Sequence, residues 1–589
     1  MRSTVSAILA VFLGSVFLAR AASVAGASEM PLETVKLGGS LDGDVEIPTL
    51  GTSDGNTIYC VYSQNINSIW IQATRDGGKT WSAPVRVMGL PSPRYITDAN
   101  ILVDGKRLTV FATHVLESVD HPDKIAKSVF RVSVSEDGGQ TWSPCEALPI
   151  QRNYVVGCIH APVWLDGDTV VMGYSWDVPA ENNRPAASEG GMFLKSGVLV
   201  SSDRGRSWKP GSDVELDIHP IGADEPAVVR LGNGDLFMVI RTSQARPYET
   251  VSHDGGRTWE KPHPSVFRGH DSPTALLRLR NGMILRAWDN SPTNRFPLVV
   301  SLSADDGRTW SVPRTVSEPD VRDDGSLSYD TACYPTLAES ADGTVVIAWW
   351  QRAGGKNSVH AARLSPQWLD EAKNLPARPV IVAFGDSVTR GVRPGVTERQ
   401  TFRSILEQQL RKRGVHADVV DAGLGSDTTA GGLARLEQDV LREKPKLVVI
   451  MFGINDAAMV DGGPVARSEP RVSLEAYRNN LRSMVTEICK SGSKVLLCTP
   501  TPMSRKYVYS DIGAYAQQND MNFQLRNYAQ AVRDLAAELK LPVLDTFRLF
   551  EQSPDRMQLI EDGCHPYVQG HAIIAEALFD PVSQALQGE

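Results

Sequence analysis

The chain has 589 residues, which is too long for one hydrophobic core and predicts two or more domains. With 42% hydrophobic and 22% charged residues its composition is that of a soluble protein, and its net charge of −9 argues against nucleic acid or an anionic membrane as the main partner, because both favour a basic surface. The 49 Gly and 36 Pro residues indicate many turns and favour a β-rich region.

The first 27 residues are predicted to be a secretory signal peptide. Arg2 supplies a positive charge, residues 5–19 are almost wholly apolar, and small-residue A-x-A sites follow. Because this apolar run is short for a membrane span, we expect a secreted or periplasmic protein with no membrane span after cleavage. An uncleaved N-terminal anchor is the alternative. The seven cysteines are widely spaced, and Cys489 with Cys498 is a candidate disulfide.

A repeated eight-residue pattern, S/T-x-D-x-G-x-S/T-W, organises the first half of the chain. Its copies are Thr74–Trp81, Ser135–Trp142, Ser201–Trp208, Ser252–Trp259 and Ser303–Trp310. The aspartate can accept backbone N–H groups of a turn, glycine supplies a positive φ, and tryptophan is expected to pack between neighbouring sheets. Alternating runs such as Thr169–Tyr174 and Asp235–Ile240 predict strands. A spacing of about 50–65 residues is the size of a propeller blade.

These segments resemble the Asp-boxes of sialidase-like (BNR) propellers, and the resemblance covers residues 38–365. It implies an all-β propeller of six four-stranded blades. It also implies a site on the central face, in which Arg241 and Arg295 resemble arginines that bind the sialic acid carboxylate. Tyr334 resembles the nucleophile of these enzymes and Glu225 its partner.

Two parts of that family site are replaced in this chain. The family's Arg-Ile-Pro reads Glu-Ile-Pro at residues 46–48, and residues 63–68 contain no aspartate to act as acid and base. Three interpretations remain open for the propeller. Its site residues are structural remnants, or they form a glycan-binding or repurposed site together with His160, His270 and Asp271, or they form an active exo-sialidase.

Residues 366–378 are predicted to be a linker, and residues 379–585 a second domain of a different kind. An apolar strand at Val380–Phe384 is followed by alternating strand-like and helix-like segments, which predict an α/β domain with a parallel sheet. These segments are Ser404–Arg413, Ala417–Asp421, Leu447–Phe452, Leu474–Ser491, Lys494–Thr499, Met521–Leu539 and Val543–Asp545. The active site of such a fold forms at the carboxyl ends of the strands.

Several motifs fall at those strand ends. Ser387 follows the first strand in Gly-Asp-Ser, and a serine hydroxyl becomes a good nucleophile when a histidine takes its proton. The segment Asp562-Gly-Cys-His565 offers such a histidine, with a carboxylate spaced to fix its tautomer. Asn455, in Gly-Ile-Asn-Asp, supplies an amide donor for an oxyanion.

In this order the motifs resemble those of the SGNH/GDSL hydrolases, over residues 378–585. The resemblance implies a flavodoxin-like parallel sheet in a three-layer α/β/α domain. It assigns Ser387 as nucleophile, His565 as base and Asp562 as the residue that orients the base. Asn455 and the backbone N–H groups of Ser387 and Ser426 would form the oxyanion hole; Ser426 stands where the family has a glycine. The sequence has no metal-binding cluster or nucleotide-binding motif, so no metal or cofactor is predicted.

The sequence therefore predicts a secreted carbohydrate-active serine esterase that removes O-acetyl or other small acyl groups from a glycan. The propeller is expected to bind or process the same glycan, with an acetylated sialic acid as a candidate, and no nucleic acid partner is expected. Two alternatives remain. One is a bifunctional sialidase and sialate O-acetylesterase, and the other is a glycan-binding surface protein whose esterase domain is inactive.

Overall fold

The structure is a computed structural model that describes residues 32–587, apart from gaps at 40, 90–94, 118–126, 151, 153–154, 158, 178–192, 217–221, 245, 292–293, 321–326, 374–377, 416, 462, 554–555 and 561. The predicted signal peptide lies outside the described residues. The chain divides between residues 376 and 377 into two compact units. In the described part of the chain, no helix is long and apolar enough to cross a membrane.

The first unit is a six-bladed β-propeller, as the sequence predicts. Within each blade neighbouring strands are antiparallel. Strand β1 is Thr34–Leu37, and blade one contains β2 (Val45–Gly51), β3 (Ile58–Gln64), β4 (Ser68–Thr74) and β5 (Val85–Gly89); blade two contains β6 (Tyr95–Asp104), β7 (Arg107–Glu117), β8 (Lys127–Ser135) and β9 (Glu146–Ala147). Blade three contains β10 (Val155–Val156), β11 (Val163–Trp164), β12 (Val170–Asp177), β13 (Leu194–Ser201) and β14 (Lys209–Val214); blade four contains β15 (Asp224–Arg230), β16 (Leu236–Arg241), β17 (Tyr248–Ser252) and β18 (His263–Pro264). Blade five contains β19 (Ala275–Arg278), β20 (Ile284–Asp289), β21 (Leu298–Ser303) and β22 (Arg314–Ser317); blade six contains β23 (Thr331–Glu339), β24 (Val345–Ala353) and β25 (Lys356–Leu364).

Strand β1 closes the ring, because it pairs antiparallel with β25 as the outer strand of blade six. The described propeller therefore begins at Thr34, before the predicted start at residue 38. This closure explains why six blades carry five Asp-boxes. Each box lies in the turn between the third and fourth strands of its blade. Blade six takes its fourth strand from the beginning of the unit, so the chain makes no such turn there.

The Asp-box in blade three shows how the motif folds. The Ser201 hydroxyl donates to Asp203 Oδ1 (2.7 Å) and accepts from the backbone N–H of Gly205 (2.8 Å). Asp203 also accepts from the backbone N–H of Ser207 at 2.8 Å. The same contacts recur in the other four boxes. Trp208 packs against Phe111 of the preceding blade, with ring centroids 5.6 Å apart. The boxes thus join successive blades, as expected for tryptophans between sheets.

The apolar core of the propeller is divided among the interfaces between blades. One cluster joins blades one and two, and others follow round the ring to the cluster that joins blades six and one. The box tryptophans Trp81, Trp142, Trp208, Trp259 and Trp310 each belong to, or pack against, the cluster shared with the preceding blade.

Replacing Asp203 by Asn is expected to lower the melting temperature of the propeller at neutral pH and to have little effect near pH 2. Burial acts to raise the pKa of Asp203, but hydrogen bonds from Ser207 and Ser201 outweigh it and lower the pKa to about 2. A carboxylate whose pKa falls on folding stabilises the protein above its unfolded pKa, and this stabilisation is lost as pH falls through the folded pKa. Melting curves of both proteins at pH 7 and pH 2 test this; an equal difference at both values would contradict it.

Helix α1 (Pro366–Lys373) occupies most of the segment predicted to be a linker. Its Leu369 and Ala372 are buried in the apolar cluster between blades five and six. The Arg314 guanidinium lies over the Trp368 ring at 4.0 Å and donates to the Trp368 carbonyl. This helix therefore packs on the propeller and is part of its structure.

The second unit contains a parallel sheet with strand order β27-β26-β28-β29-β30, which is the predicted flavodoxin-like order. Its strands are β26 (Val380–Gly385), β27 (Asp418–Gly423), β28 (Leu447–Met451), β29 (Lys494–Cys498) and β30 (Val543–Leu544). Strand β28 is buried along its whole length. Such a strand is covered on both faces of its sheet, as in a three-layer domain.

Two groups of helices cover this sheet, α3 with α10, and α5 with α4 and α7. The helices are α2 (Ser387–Arg390), α3 (Phe402–Lys412), α4 (Thr429–Asp439), α5 (Leu474–Lys490), α6 (Gly513–Gln518), α7 (Leu525–Leu539), α8 (Thr546–Glu551), α9 (Arg556–Leu559) and α10 (Val568–Gln587). Cys489 and Cys498 are both free thiols, so this candidate disulfide is not formed.

Candidate active site

Ser387 lies at the carboxyl end of β26, the first strand of the second unit in chain order. It is the first residue of α2, a helix of four residues. Asp386 caps this helix, because its Oδ1 accepts from the backbone N–H of Val388 at 2.9 Å. A Cβ atom on Gly385 would lie 2.2 Å from the Met451 carbonyl oxygen. The Gly-Asp-Ser motif therefore has a steric reason for glycine and a capping reason for aspartate.

The segment from Asp562 to His565 folds as a tight turn that places the Asp562 carboxylate against the His565 imidazole. Asp562 Oδ1 accepts the backbone N–H groups of Cys564 (2.9 Å) and His565 (2.8 Å). Gly563 has a φ of 84°, and a Cβ atom there would lie 2.1 Å from the backbone nitrogen of Tyr507. Only glycine fits such a position without strain.

Ser387, His565 and Asp562 form one connected chain of hydrogen bonds. His565 Nε2 lies 2.9 Å from Ser387 Oγ, and His565 Nδ1 lies 2.8 Å from Asp562 Oδ2. Since a carboxylate only accepts, Nδ1 carries the proton and Nε2 is free to take the proton of the serine. The predicted nucleophile, base and orienting carboxylate are thus brought together in the geometry of a base-activated serine.

The Asp562 carboxylate is held in its ionised form by several neighbours. Burial acts to raise its pKa, but the hydrogen bonds from the side chain and backbone of His565 outweigh burial, and the pKa lies well below its ordinary value. Arg393, which sequence reasoning missed, forms an ion pair with the same oxygen that faces His565, at 2.5 Å from Nη1 to Oδ2. Arg393 lies in the loop after α2, where no motif marks it.

Replacing Arg393 by Gln is expected to lower kcat/KM for ester hydrolysis by about 3- to 30-fold and to move the acid limb of its pH profile to higher pH. The Arg393 guanidinium pairs with the Asp562 oxygen that also faces His565, and its positive charge repels a protonated imidazole. Removing it therefore favours the protonated form of His565, which cannot act as a base. Arg390→Gln, on an exposed residue three positions earlier, is the matched control. An unmoved acid limb would show that Arg393 acts only through packing.

The two residues predicted for the oxyanion hole lie on adjoining loops. Asn455 Nδ2 donates to the backbone carbonyl of Asp427 at 2.9 Å, which connects the end of β28 to the loop after β27. Ser426, in that loop, has a φ of 60°. This left-handed conformation is the one that glycine adopts most easily, which gives a physical reason for the family's preference at this position.

Two further polar residues of the motifs have structural partners. Asp456 Oδ1 accepts from the Thr429 backbone N–H (2.9 Å) and hydroxyl (2.5 Å), so it fixes the start of α4. His571 lies on the buried face of α10. Its side chain is fully buried, stacked on Phe402 with ring centroids 6.0 Å apart, and burial lowers its pKa to about 3.

The propeller brings together most of its predicted site residues from three consecutive blades, four, five and six. The Tyr334 hydroxyl donates to Glu225 Oε1 at 2.8 Å. Arg241 donates from Nη1 to Glu225 Oε2 (2.5 Å) and to the Tyr334 hydroxyl oxygen (3.2 Å), and from Nε to Asp271 (2.7 Å). Arg295 lies over the Tyr334 ring at 5.8 Å and donates to the Asp271 carbonyl at 2.9 Å. These five predicted residues form one polar cluster.

Two other residues border this cluster. His160 follows Ile159, which packs with Tyr334 in a small apolar group, and burial lowers the His160 pKa to about 4. Asp98 was missed in the sequence. It is 5% exposed, and burial, together with repulsion from Glu225, raises its pKa to about 6. Its signal was weak because Thr-Asp-Ala-Asn inside an apolar strand resembles no catalytic motif.

A parallel sheet with a serine, histidine and aspartate joined at its carboxyl edge defines an α/β serine hydrolase. Residues 383–573 match the model of the GDSL-like Lipase/Acylhydrolase family. Over 181 residues the chain is 33% identical to "Uncharacterized lipoprotein YqeF" of Bacillus subtilis, covering 29% of this chain and 71% of that protein. It is 32% identical over 162 residues to "Acetylxylan esterase" of Geobacillus stearothermophilus, covering 27% and 69%. Through its second unit the chain belongs to the GDSL-like lipase/acylhydrolase family.

The propeller has its own relatives. Residues 115–347 match the model of the BNR repeat-like domain. The chain is 26% identical over 342 residues to "Sialidase" of Micromonospora viridifaciens, which corresponds to 51% of this chain and spans 47% of the length of that sialidase. The chain therefore joins a sialidase-like propeller to a GDSL hydrolase.

Proposed function

We propose that this protein is an exported serine esterase that removes O-acetyl groups from a glycan, and that its propeller binds the same glycan. The observation that supports the esterase most directly is the continuous chain from Ser387 through His565 to Asp562. The similarity to an acetylxylan esterase and the fusion to a sialidase-like propeller support a sugar ester as the substrate.

The proposed reaction proceeds through an acyl-enzyme. Ser387 Oγ attacks the ester carbonyl while its proton passes to His565 Nε2, and Asn455 and a backbone N–H at Ser426 stabilise the oxyanion. The bond between the acyl carbon and the sugar oxygen breaks, and His565 protonates that oxygen. A water molecule, deprotonated by His565, then attacks the acyl-enzyme, and acetate is released as His565 returns the proton to Ser387 Oγ. Asp562 keeps the imidazole oriented and stabilises its charged form in both halves of the reaction.

The direct test is a mass measurement on a defined O-acetylated oligosaccharide after incubation with the protein. We expect a loss of 42 Da per acetyl group removed, about the mass difference between an acetyl group and a hydrogen, following acyl transfer to water. The same incubation with Ser387→Ala should leave the oligosaccharide unchanged. Hydrolysis of a simple chromogenic acetyl ester without any change in acetylated glycans would refute the sugar substrate but retain the esterase.

The hydrogen bond between Tyr334 and Glu225 favours a second candidate, a propeller that also cleaves a glycosidic bond. A carboxylate beside a tyrosine can take the phenol proton as the oxygen attacks a sugar carbon. A panel of fluorogenic glycosides, including a sialoside, tests this. Turnover that survives Ser387→Ala and disappears in Tyr334→Phe would establish it, and no turnover of any glycoside would exclude it for the sugars in the panel.

A further inference from the structure

The innermost strands of four blades are deformed at equivalent positions around the centre of the propeller. Ile47, Asp98, Glu225 and Tyr334 each have a φ between 40° and 54°, and each lies in a strand whose register shifts at that point. A positive φ is costly for residues other than glycine and is typical of functional sites. Ile47 and Tyr334 also pack in one apolar group, so these bulges face the same region.

The polar groups at this centre have an excess of carboxylates over guanidinium groups. The acidic residues are Glu46, Asp98, Asp224, Glu225 and Asp271. The basic residues are Arg241, Arg295 and Arg352, the last of which interacts with Glu46, so five carboxyl groups face three guanidinium groups. Arg241 is already engaged by Glu225, Asp271 and Asp224, the last with Nη1 and Oδ2 3.5 Å apart. The Arg241 guanidinium is thus neutralised by the protein's own acids, whereas Arg295 donates to the Asp271 backbone carbonyl.

The titration of these acids points in the same direction. Burial and repulsion from Glu225 raise the pKa values of both Asp98 and Asp224. Both shifts indicate that a negative charge beside Glu225 is costly in this centre. The carboxylate of a bound sialic acid would add such a charge.

Glu46 extends this acidic region towards blade six. Glu46 precedes the bulged residue Ile47 in blade one, as Asp224 precedes the bulged residue Glu225 in blade four. It therefore occupies the position that corresponds to Asp224, whose carboxylate lies near Arg241. Its Oε1 accepts from Asn357 Nδ2 at 2.5 Å, and burial raises its pKa. Asn357 also donates its backbone N–H to Asp44 at 3.0 Å. Glu46 is therefore held in place by blade six.

The same region contains buried polar atoms that have no hydrogen-bond partner among the described residues. They are Asp98 Oδ2, His160 Nε2 and His270 Nδ1. Burial lowers the pKa values of both histidines, so each ring is neutral at pH 7 and can donate or accept one hydrogen bond. Unpartnered buried groups are costly, and the hydroxyl groups of a sugar would satisfy both donors and acceptors.

We propose that the centre of the propeller binds an uncharged sugar unit, and that Glu46 makes the site selective against sugars that carry a carboxylate. This inference rests on the proposal that the propeller binds a glycan. The proposed ligand class differs from that of the sialidases that the propeller resembles. The reason is that Glu46 stands at the position of the family's arginine, which would bind the carboxylate of the sugar.

The full chain carrying Ser387→Ala, which cannot remove acetyl groups, should be applied to an array of neutral, sialylated and uronate-containing glycans. We expect signal on neutral glycans, at least about tenfold above that on their sialylated counterparts, and a loss of about tenfold in the Asp98→Asn variant, since hydrogen bonds to charged groups have roughly that effect. Preferential binding of carboxylated glycans would overturn the inference while leaving the proposed function intact. Binding to no glycan would overturn the role of the propeller, with deacetylation unaffected.

The residue behind the selectivity is tested by two variants in the same background. Glu46→Gln removes the charge with little change in shape, and Glu46→Arg restores the guanidinium of the family pattern. We expect 2,3-dehydro-sialic acid, used as a titrant in calorimetry, to bind Glu46→Arg more tightly than the parent by about tenfold or more, with Glu46→Gln between them. If both variants melt at the parent's temperature and all three proteins bind 2,3-dehydro-sialic acid with equal affinity, the role of Glu46 is refuted.

Discussion

Replacing either Ser387 or His565 by alanine is expected to lower kcat for a chromogenic acetyl ester by about 10⁴- to 10⁶-fold, and the double variant should be no slower than either single one. The nucleophile and its base act as a unit, so removing one already removes the benefit of the other. His565 Nε2 and Ser387 Oγ are 2.9 Å apart, close enough for this direct proton transfer. Initial rates at saturating ester measure the effect.

A matched control is His253→Ala, on an exposed propeller histidine that pairs with Asp235 and Glu260. Its kcat should equal that of the parent. The variants at Ser387 and His565 should melt at the parent's temperature within a few degrees, because both side chains are only partly buried. If the fold losses in kcat of the two single variants multiply in the double variant, the two residues act independently. The proposed pairing of Ser387 and His565 would then be wrong.

The esterase residues could be predicted because parallel sheets place their active sites at a fixed edge. Ser387 and Asn455 both follow apolar strands, and this placement together with motif order identified the family. Helix α4 was not among the predicted segments, because Gly431 and Gly432 weaken the helical signal in its first turn. The structure supplies the reason for Gly432, where a Cβ atom would lie 2.7 Å from the Phe452 ring.

The repeated blades of the propeller were predictable from local turns and their number from the family resemblance, whereas the centre was only partly predictable. An Asp-box is contained in eight residues, so its hydrogen bonds can be anticipated from sequence alone. The central cluster is assembled from residues as far apart in the chain as Asp98 and Tyr334, both of which interact with Glu225. The burial that raises the pKa of Asp98, and the bulge that turns it, are visible only once the six blades are closed.

Contacts between loops and helices were the least predictable part of the esterase unit. Arg393 reaches Asp562 across 169 positions of chain, and His571 is buried because α10 packs against α3 beneath the turn after Ser387. Helical periodicity alone could not assign His571 to the buried face, since a histidine is compatible with either surface or core. Gly391 marks this packing, because a Cβ atom there would lie 2.9 Å from the His571 ring.

Replacing Asn455 by alanine is expected to lower kcat by about 10²- to 10³-fold with little change in KM, the loss seen when one oxyanion donor is removed. The amide interacts with a charge that exists only in the transition state, so substrate binding should be spared. Asn527→Ala, on the exposed face of α7, is the matched control. Asn455→Asp keeps the shape but places an acceptor at the developing negative charge, so it should be at least as slow as Asn455→Ala. An aspartate variant faster than the alanine variant would contradict the oxyanion role, because a carboxylate can donate neither to the oxyanion nor to the Asp427 carbonyl that Asn455 Nδ2 contacts at 2.9 Å.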